Sequence, residues 1–235
     1  MHELPLDKQI LMKVRDLSAS YGQRMIIEEI CLDIAEREVI LLTGSNGSGK
    51  STLLRALFGL HKPIQSGRVE FLSAGKTIKI SEATVNNHLS LGFAYVPQKE
   101  GFFHDLTVDD NFRLSGHQLP PKELERGIAI IERWFPWLKE YWNRKPSAMS
   151  GGECKILAIT MALLHQPKLL LIDEPMAGLA GTMAKQLSEV LRDVHKAYGT
   201  SMLIVEHRTS GLGILNPREI GLKHGRLTNS TDASI

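Results

Sequence analysis

The apolar positions of this chain change their period along its length, and the change predicts its elements. In the N-terminal part they alternate in steps of two: ILMKVRDLSASYG, MIIEEICLDI and REVILLTG read as strands, punctuated by Gly22 and Gly44. From Lys50 to Phe58 the spacing turns helical, with Gly59 placed as a C-terminal cap. GRVEFLSAGKTIKI predicts a hairpin turning near Gly75. After LGFAYVPQ, residues 99 to about 160 read as mainly helical. Pro136 should interrupt the helix of PPKELERGIAIIERWFPWLKEYW, because proline lacks the N–H and crowds the preceding turn. A helix from about Gly152 to Leu164, an apolar strand at 169–173, a helix from about Thr182 to Tyr198 and the strand SMLIVEH follow. The tail beyond Leu227 reads as frayed. Strands alternating with helices in this way predict an α/β core with a largely parallel sheet.

Length and composition narrow the class. A chain of 235 residues suits one domain with an appended lobe, burying roughly 70–75% of its unfolded surface. With 43% hydrophobic residues, 23% charged and a net charge of +2, nothing marks a nucleic-acid binder, and no nucleic-acid partner is expected. Cys31 and Cys154 have no metal-ligand spacing and read as reduced, partly buried small hydrophobes of an intracellular protein. No run approaches the roughly 18 apolar residues of a membrane helix. MHELPLDKQI also lacks the pattern of a secretory leader, so a cytosolic chain is expected, with any membrane role reached through a partner.

The candidate chemistry begins at GSNGSGKS, residues 44–51, which fits G-x-x-x-x-G-K-[ST] between the strand VILLT and the helix KSTLLRALF. Gly44, Gly47 and Gly49 allow the amides of the loop, with Ser45, Asn46 and Ser48 between them, to turn inward around phosphate oxygens. The helix start adds favourable partial charge. Lys50 can reach the β and γ phosphates, Ser51 offers a hydroxyl to Mg²⁺, and Thr52 can support the same phosphates.

LLLIDEP, residues 169–175, delivers two carboxylates to the end of an apolar strand. Alone such a pair reads as a solvated turn; beside a phosphate loop it reads as a hydrolytic site. Asp173 suits a Mg²⁺ ligand, and Glu174, pointing to the other side of the chain, suits the group that orients or deprotonates the attacking water. Gln98, where the core gives way to the helical region, can ligate Mg²⁺ or its water and couple nucleotide state to lobe movement. His207, ending SMLIVEH, can contact the γ phosphate as a neutral imidazole. Ser150, Gly151 and Gly152 open an apolar helix in MSGGECKILAITMALL, either as a simple N-cap or as a second anion site.

Taken together, these motifs resemble the ATP-binding cassette ATPases, from about residue 12 to about residue 228. The resemblance implies a P-loop core with a mostly parallel sheet, an antiparallel β subdomain and a helical subdomain at 99–160, within one cassette domain spanning 1–235. It implies that Tyr21 stacks on adenine, that Gln98 is the glutamine loop, MSGGE the signature and His207 the switch histidine. It further implies a homo- or heterodimer in which Ser150 and Gly152 complete the partner's ATP site. The expected cofactors are ATP and Mg²⁺, and the expected partners a second ATPase subunit and a separate transmembrane permease on the cytoplasmic face of the inner membrane. PKLLLIDEP, the loop ending GLA, and FHDLTVDDN look like the ATPases of branched-chain amino-acid and related uptake systems, where Ala at position 180 is common. Met149, CKI, TMA and Gly181 depart from that pattern, and LNPRE fits it poorly, which leaves the cargo open.

Three functions remain in view: a Mg-ATP hydrolysing transporter subunit, a soluble non-transport cassette ATPase, and a nucleotide-binding regulatory module without turnover, the last motivated by Ala180. Phe102, Phe103, Trp134, Phe135, Trp137, Tyr141 and Trp142 read as core of the helical lobe. The alternative is a groove for a membrane subunit's helix, which exposure of Phe102 or Phe103 beside Gln98 favours.

Overall fold

A computed structural model describes residues 9–60, 64–73, 76–80, 85–99, 101–207 and 211–229. The N-terminal alternation forms β1 (Ile10–Tyr21) and β2 (Arg24–Ala35), a hairpin turning at Gly22, joined by β4 (Ile64–Ser73) and β5 (Lys76–Lys79) into an antiparallel sheet of order β2-β1-β4-β5. The expected turn at Gly75 lies outside the described residues.

The second sheet contains β3 (Val39–Thr43), β6 (Phe93–Val96), β7 (Leu169–Asp173), β8 (Ser201–Val205), β9 (Arg218–Lys223) and β10 (Arg226–Asn229), in the order β10-β9-β3-β8-β7-β6. Its pairings are parallel except for the β9–β10 hairpin. The reading of a frayed tail is therefore corrected at Thr228 and Asn229, which pair with Gly221 and Ile220.

Strands β3, β7 and β8 are continuous apolar runs because both faces of the parallel sheet are covered. Alternate residues divide between two cores. Ile40, Leu42, Leu169, Leu171, Leu203 and Val205 join the core containing the antiparallel sheet and α1 (Lys50–Leu57). Leu41, Leu170, Ile172, Met202 and Ile204 face the opposite core. That core includes residues of α3 (Val108–Ser115), α4 (Pro121–Trp134), α5 (Gly151–Leu163) and α6 (Gly181–Tyr198). The short α2 (Val85–Ser90) precedes β6.

Proline chemistry sets the boundary at Pro136 as expected: α4 ends at Trp134 and a 3-10 helix runs from Pro136 to Tyr141. The aromatics divide. Phe135 is fully buried, while Trp134, Trp137, Tyr141 and Trp142 pack half-buried against the helical core. Phe103 departs from the core reading, at 55% exposure. The main chain there is tied by the buried Asn111, whose Oδ1 accepts from Phe103 N (2.7 Å) and whose Nδ2 donates to Phe103 O (3.0 Å). Cys31 also departs: it is exposed, with Sγ donating to Asp16 Oδ1 at 3.3 Å. The burial expected of it fails because its position in β2 faces away from the core. Among the described residues, no helix is long and apolar enough to cross a membrane.

Candidate active site

The phosphate loop emerges where the sheet demands a sharp exit from β3 into α1. Gly49 precedes the helix with φ +106°, in the left-handed region that a side chain resists; a Cβ there would also meet Ile27 Cγ2 at 2.8 Å. Gly44 has no room either, since its Cβ would run into the Leu222 carbonyl. Lys50 Nζ donates to the carbonyls of Gly44 (2.8 Å) and Ser45 (3.0 Å), which curls the loop around the ammonium. Burial pushes the Lys50 pKa down, opposed by the charges of Glu174, Asp173 and Glu206. A cleft of about 360 Å³ opens over this loop, lined by Arg24, Ile26, Asn46, Gly47, Gly49, Lys50, Ser51, Thr52, Gln98 and Glu174.

The acid pair faces the loop from the end of β7. Asp173 is 1% exposed; the Ser51 hydroxyl donates to its carboxylate, yet its Oδ1 has no hydrogen-bond partner among the described residues. Burial pushes its pKa up, the neighbouring Glu174 adds to that, and Ser51, Lys155 and Lys50 act against it. A buried carboxylate oxygen left bare costs free energy unless a cation completes it. With the Ser51 hydroxyl beside it and the Gln98 amide on the same cleft, the donor set is all oxygen, which suits a hard divalent cation such as Mg²⁺.

Glu174 sits beyond the strand at φ +51°, a left-handed backbone uncommon outside glycine and asparagine. Its N–H donates to Val205 O at 2.9 Å. Its carboxylate is held from two sides: Gln98 Nε2 donates to Oε2 at 2.6 Å, and His207 Nε2 lies 2.8 Å from Oε1. An ionised carboxylate only accepts, so this contact places a proton on His207 Nε2. The imidazole expected at the γ phosphate thus faces the carboxylate in this structure.

Other predicted residues stand apart from this cluster. Tyr21 is 52% exposed and is the cross-strand partner of Arg24, one of the cleft's walls. Ser150 caps α5 in a reciprocal box: its Oγ accepts from Glu153 N (3.3 Å) while Glu153 Oε2 accepts from Ser150 N (2.6 Å). Ser150, Gly151 and Gly152 line a different cleft of about 550 Å³, with Gln98, Lys155, Gly178 and Ala180 among its walls. The structure therefore leaves the signature turn off the chain's own phosphate cleft.

Two residues that motif reading passed over also belong here. Glu206, 6% exposed, accepts from Met176 N at 2.6 Å and anchors the turn after the acid pair to the end of β8. Lys155 donates to the carbonyls of Gln98 and Glu174, each at 3.0 Å. An isolated charge inside the apolar helix of CKILAITMALL was the available signal for the second.

A phosphate loop capping a parallel strand, facing an acid pair gripped by an amide and an imidazole, defines a P-loop nucleotide hydrolase. Comparison with known proteins takes this further. Residues 27–177 match the ABC transporter family. The "Probable branched-chain amino acid transport ATP-binding protein LivF" of Archaeoglobus fulgidus is 32% identical over 196 residues, 83% of this chain and 81% of that protein. The "High-affinity branched-chain amino acid transport ATP-binding protein BraG" of Pseudomonas aeruginosa is 30% identical over 220 residues, 93% of this chain and 92% of that protein. A solved "Structure of ATP binding subunit of ABC transporter" superposes with a TM-score of 0.79 at 26% identity, over 94% of this chain and 91% of that one. The chain belongs to the ABC transporter family and is an ATP-binding, ATP-hydrolysing subunit of the transporter type. The soluble non-transport and regulatory readings fall behind it.

Proposed function

We propose that this chain powers import of branched-chain amino acids or related small solutes through a separate transmembrane permease, working at the cytoplasmic face of the inner membrane. The two uptake-system relatives support the cargo class. A second ATPase subunit takes part in this reading, which the placing of Ser150, Gly151 and Gly152 on a different cleft from Lys50 supports. In this reading they complete the partner's nucleotide site, and the partner completes this one. Residues 99–160 act as the helical lobe of one cassette, and the exposed Phe103 is part of its permease-facing surface.

In this reading the site residues divide the work, and the lining of the cleft over the phosphate loop supports it. Amides of Ser45, Asn46, Gly47, Ser48 and Gly49, with Gly44 giving the clearance, cradle the β and γ phosphates. Lys50 turns from its loop carbonyls to those phosphates, and Thr52 supports them. Tyr21 stacks on adenine. Asp173, Ser51 and Gln98 would hold Mg²⁺, which when bound would neutralise charge on the phosphate oxygens. Glu174 takes the proton of the attacking water as its oxygen bonds to the γ phosphorus and the bond to the ADP oxygen breaks. His207 steadies the Glu174 carboxylate through Nε2.

The observation that carries this assignment is the Glu174 carboxylate held between Gln98 and His207 on the cleft over the phosphate loop. It is tested by phosphate release from the pure protein with ATP. Turnover should require Mg²⁺ and vanish in Lys50→Ala; turnover in EDTA, or in Lys50→Ala at the native rate, contradicts it. Pull-down from detergent-solubilised membranes should bring a multi-span protein and a second ATPase subunit, whose absence from the eluate removes the permease reading.

A further inference from the structure

Lys155 occupies a place that the roles above do not use. It lies in the second turn of α5, the helix that Ser150 caps, and reaches back to two carbonyls, Gln98 O and Glu174 O. The side chains of those same two residues bond each other at 2.6 Å. The result is a closed ring in which one ammonium holds both main chains while their side chains hold the carboxylate. The Glu174 backbone is in a left-handed conformation that a side chain disfavours and that persists only when its surroundings fix it. Val205 fixes the N–H and Lys155 the carbonyl. Burial pushes the Lys155 pKa down, and the charges of Glu174, Glu206 and Asp173 oppose that without cancelling it.

We infer that Lys155 is a positioning residue for hydrolysis, locking Gln98 and Glu174 in their mutual geometry and tying that geometry to the signature helix. This rests on the assignment of Glu174 as the group acting on water. Hydrogen bonds from a charged donor are the stronger kind, and a reacting group displaced by about 1 Å can lose on the order of a hundredfold in rate. Loss of the ammonium should therefore act on kcat and leave ATP binding alone.

The test compares Lys155→Met, Lys155→Arg and Glu174→Gln with the native protein by ATPase kinetics and by titration with a fluorescent ATP analogue. Lys155→Met should lower kcat about 10- to 100-fold with KM and analogue affinity within about twofold, and Lys155→Arg should recover most of the rate. An unchanged kcat in Lys155→Met, a loss confined to KM, or no advantage of Arg over Met overturns the inference. If Lys155→Met does not bind the analogue, Lys155→Gln is substituted, which keeps two N–H donors. Failure of that variant also to bind makes Lys155 a determinant of folding and overturns the positioning role. Native turnover in Glu174→Gln removes the underlying assignment instead, which separates the two failures.

Discussion

Asp173→Asn should stabilise the ligand-free protein while abolishing its magnesium-dependent turnover. The Asp173 side chain is almost inaccessible, its Oδ1 has no partner among the described residues, and burial raises its pKa. A carboxyl raised in the folded state is deprotonated more readily in the unfolded chain, so stability falls as pH climbs from the unfolded pKa through the folded one. The penalty grows as pH rises through that window. The amide leaves the Oδ1 position unpaired but removes the charge, and an unpaired buried group costs roughly 1–3 kcal/mol, more when it is charged. The Ser51 bond and the charges of Lys155 and Lys50 return part of that, leaving about 1 kcal/mol. For a chain of 235 residues that is a rise of about 2–4 °C in Tm. The assay is thermal unfolding in EDTA at neutral pH, repeated below about pH 3, a unit under the ordinary Asp pKa, where the native protein's carboxyl is protonated in both states and the difference should close. Adding MgATP should raise the native Tm more than the variant's. A variant less stable than native in EDTA at neutral pH, or one stabilised equally by MgATP, refutes this reasoning.

Two further substitutions probe separate links. Ala180 occupies the N-cap of α6 and makes no side-chain cap bond, so Ala180→Asp should add about 0.5–2 kcal/mol of stability in denaturant unfolding; an unchanged midpoint contradicts the cap geometry. Tyr21→Ala should weaken ATP by about 1–3 kcal/mol, the worth of stacking a base on an aromatic ring, with little effect on inorganic triphosphate. Equal weakening of both ligands excludes the stacking role.

The chain made some of this legible and concealed the rest for physical reasons. β7 and the phosphate loop were readable because local sequence determines them: a two-sided apolar run ends in Asp173, and glycines sit where a Cβ has no space. The helix break at Pro136 was equally local. The end of β10 was hidden because Thr228 and Asn229 are ordered by pairing with β9 rather than by their own propensity. Glu206 and Lys155 were hidden because their partners are backbone groups of residues distant in sequence, and a carbonyl acceptor leaves no mark in a sequence. The contact between His207 and Glu174 spans two strand ends, so each residue was identifiable but their pairing was not.

The central claim is that Glu174, held by Gln98 and His207, acts on the attacking water. Its most direct measurement is single-turnover hydrolysis of ATP by native protein and Glu174→Gln, with nucleotide occupancy and molecular mass followed in the same samples. The amide preserves size but keeps one acceptor oxygen where the carboxylate takes bonds from both Gln98 and His207, and it cannot accept the proton, so the account predicts a loss of about 10²–10⁴-fold in rate, intact ATP binding and a trapped ATP-bound dimer. Hydrolysis at the native rate by Glu174→Gln would contradict it.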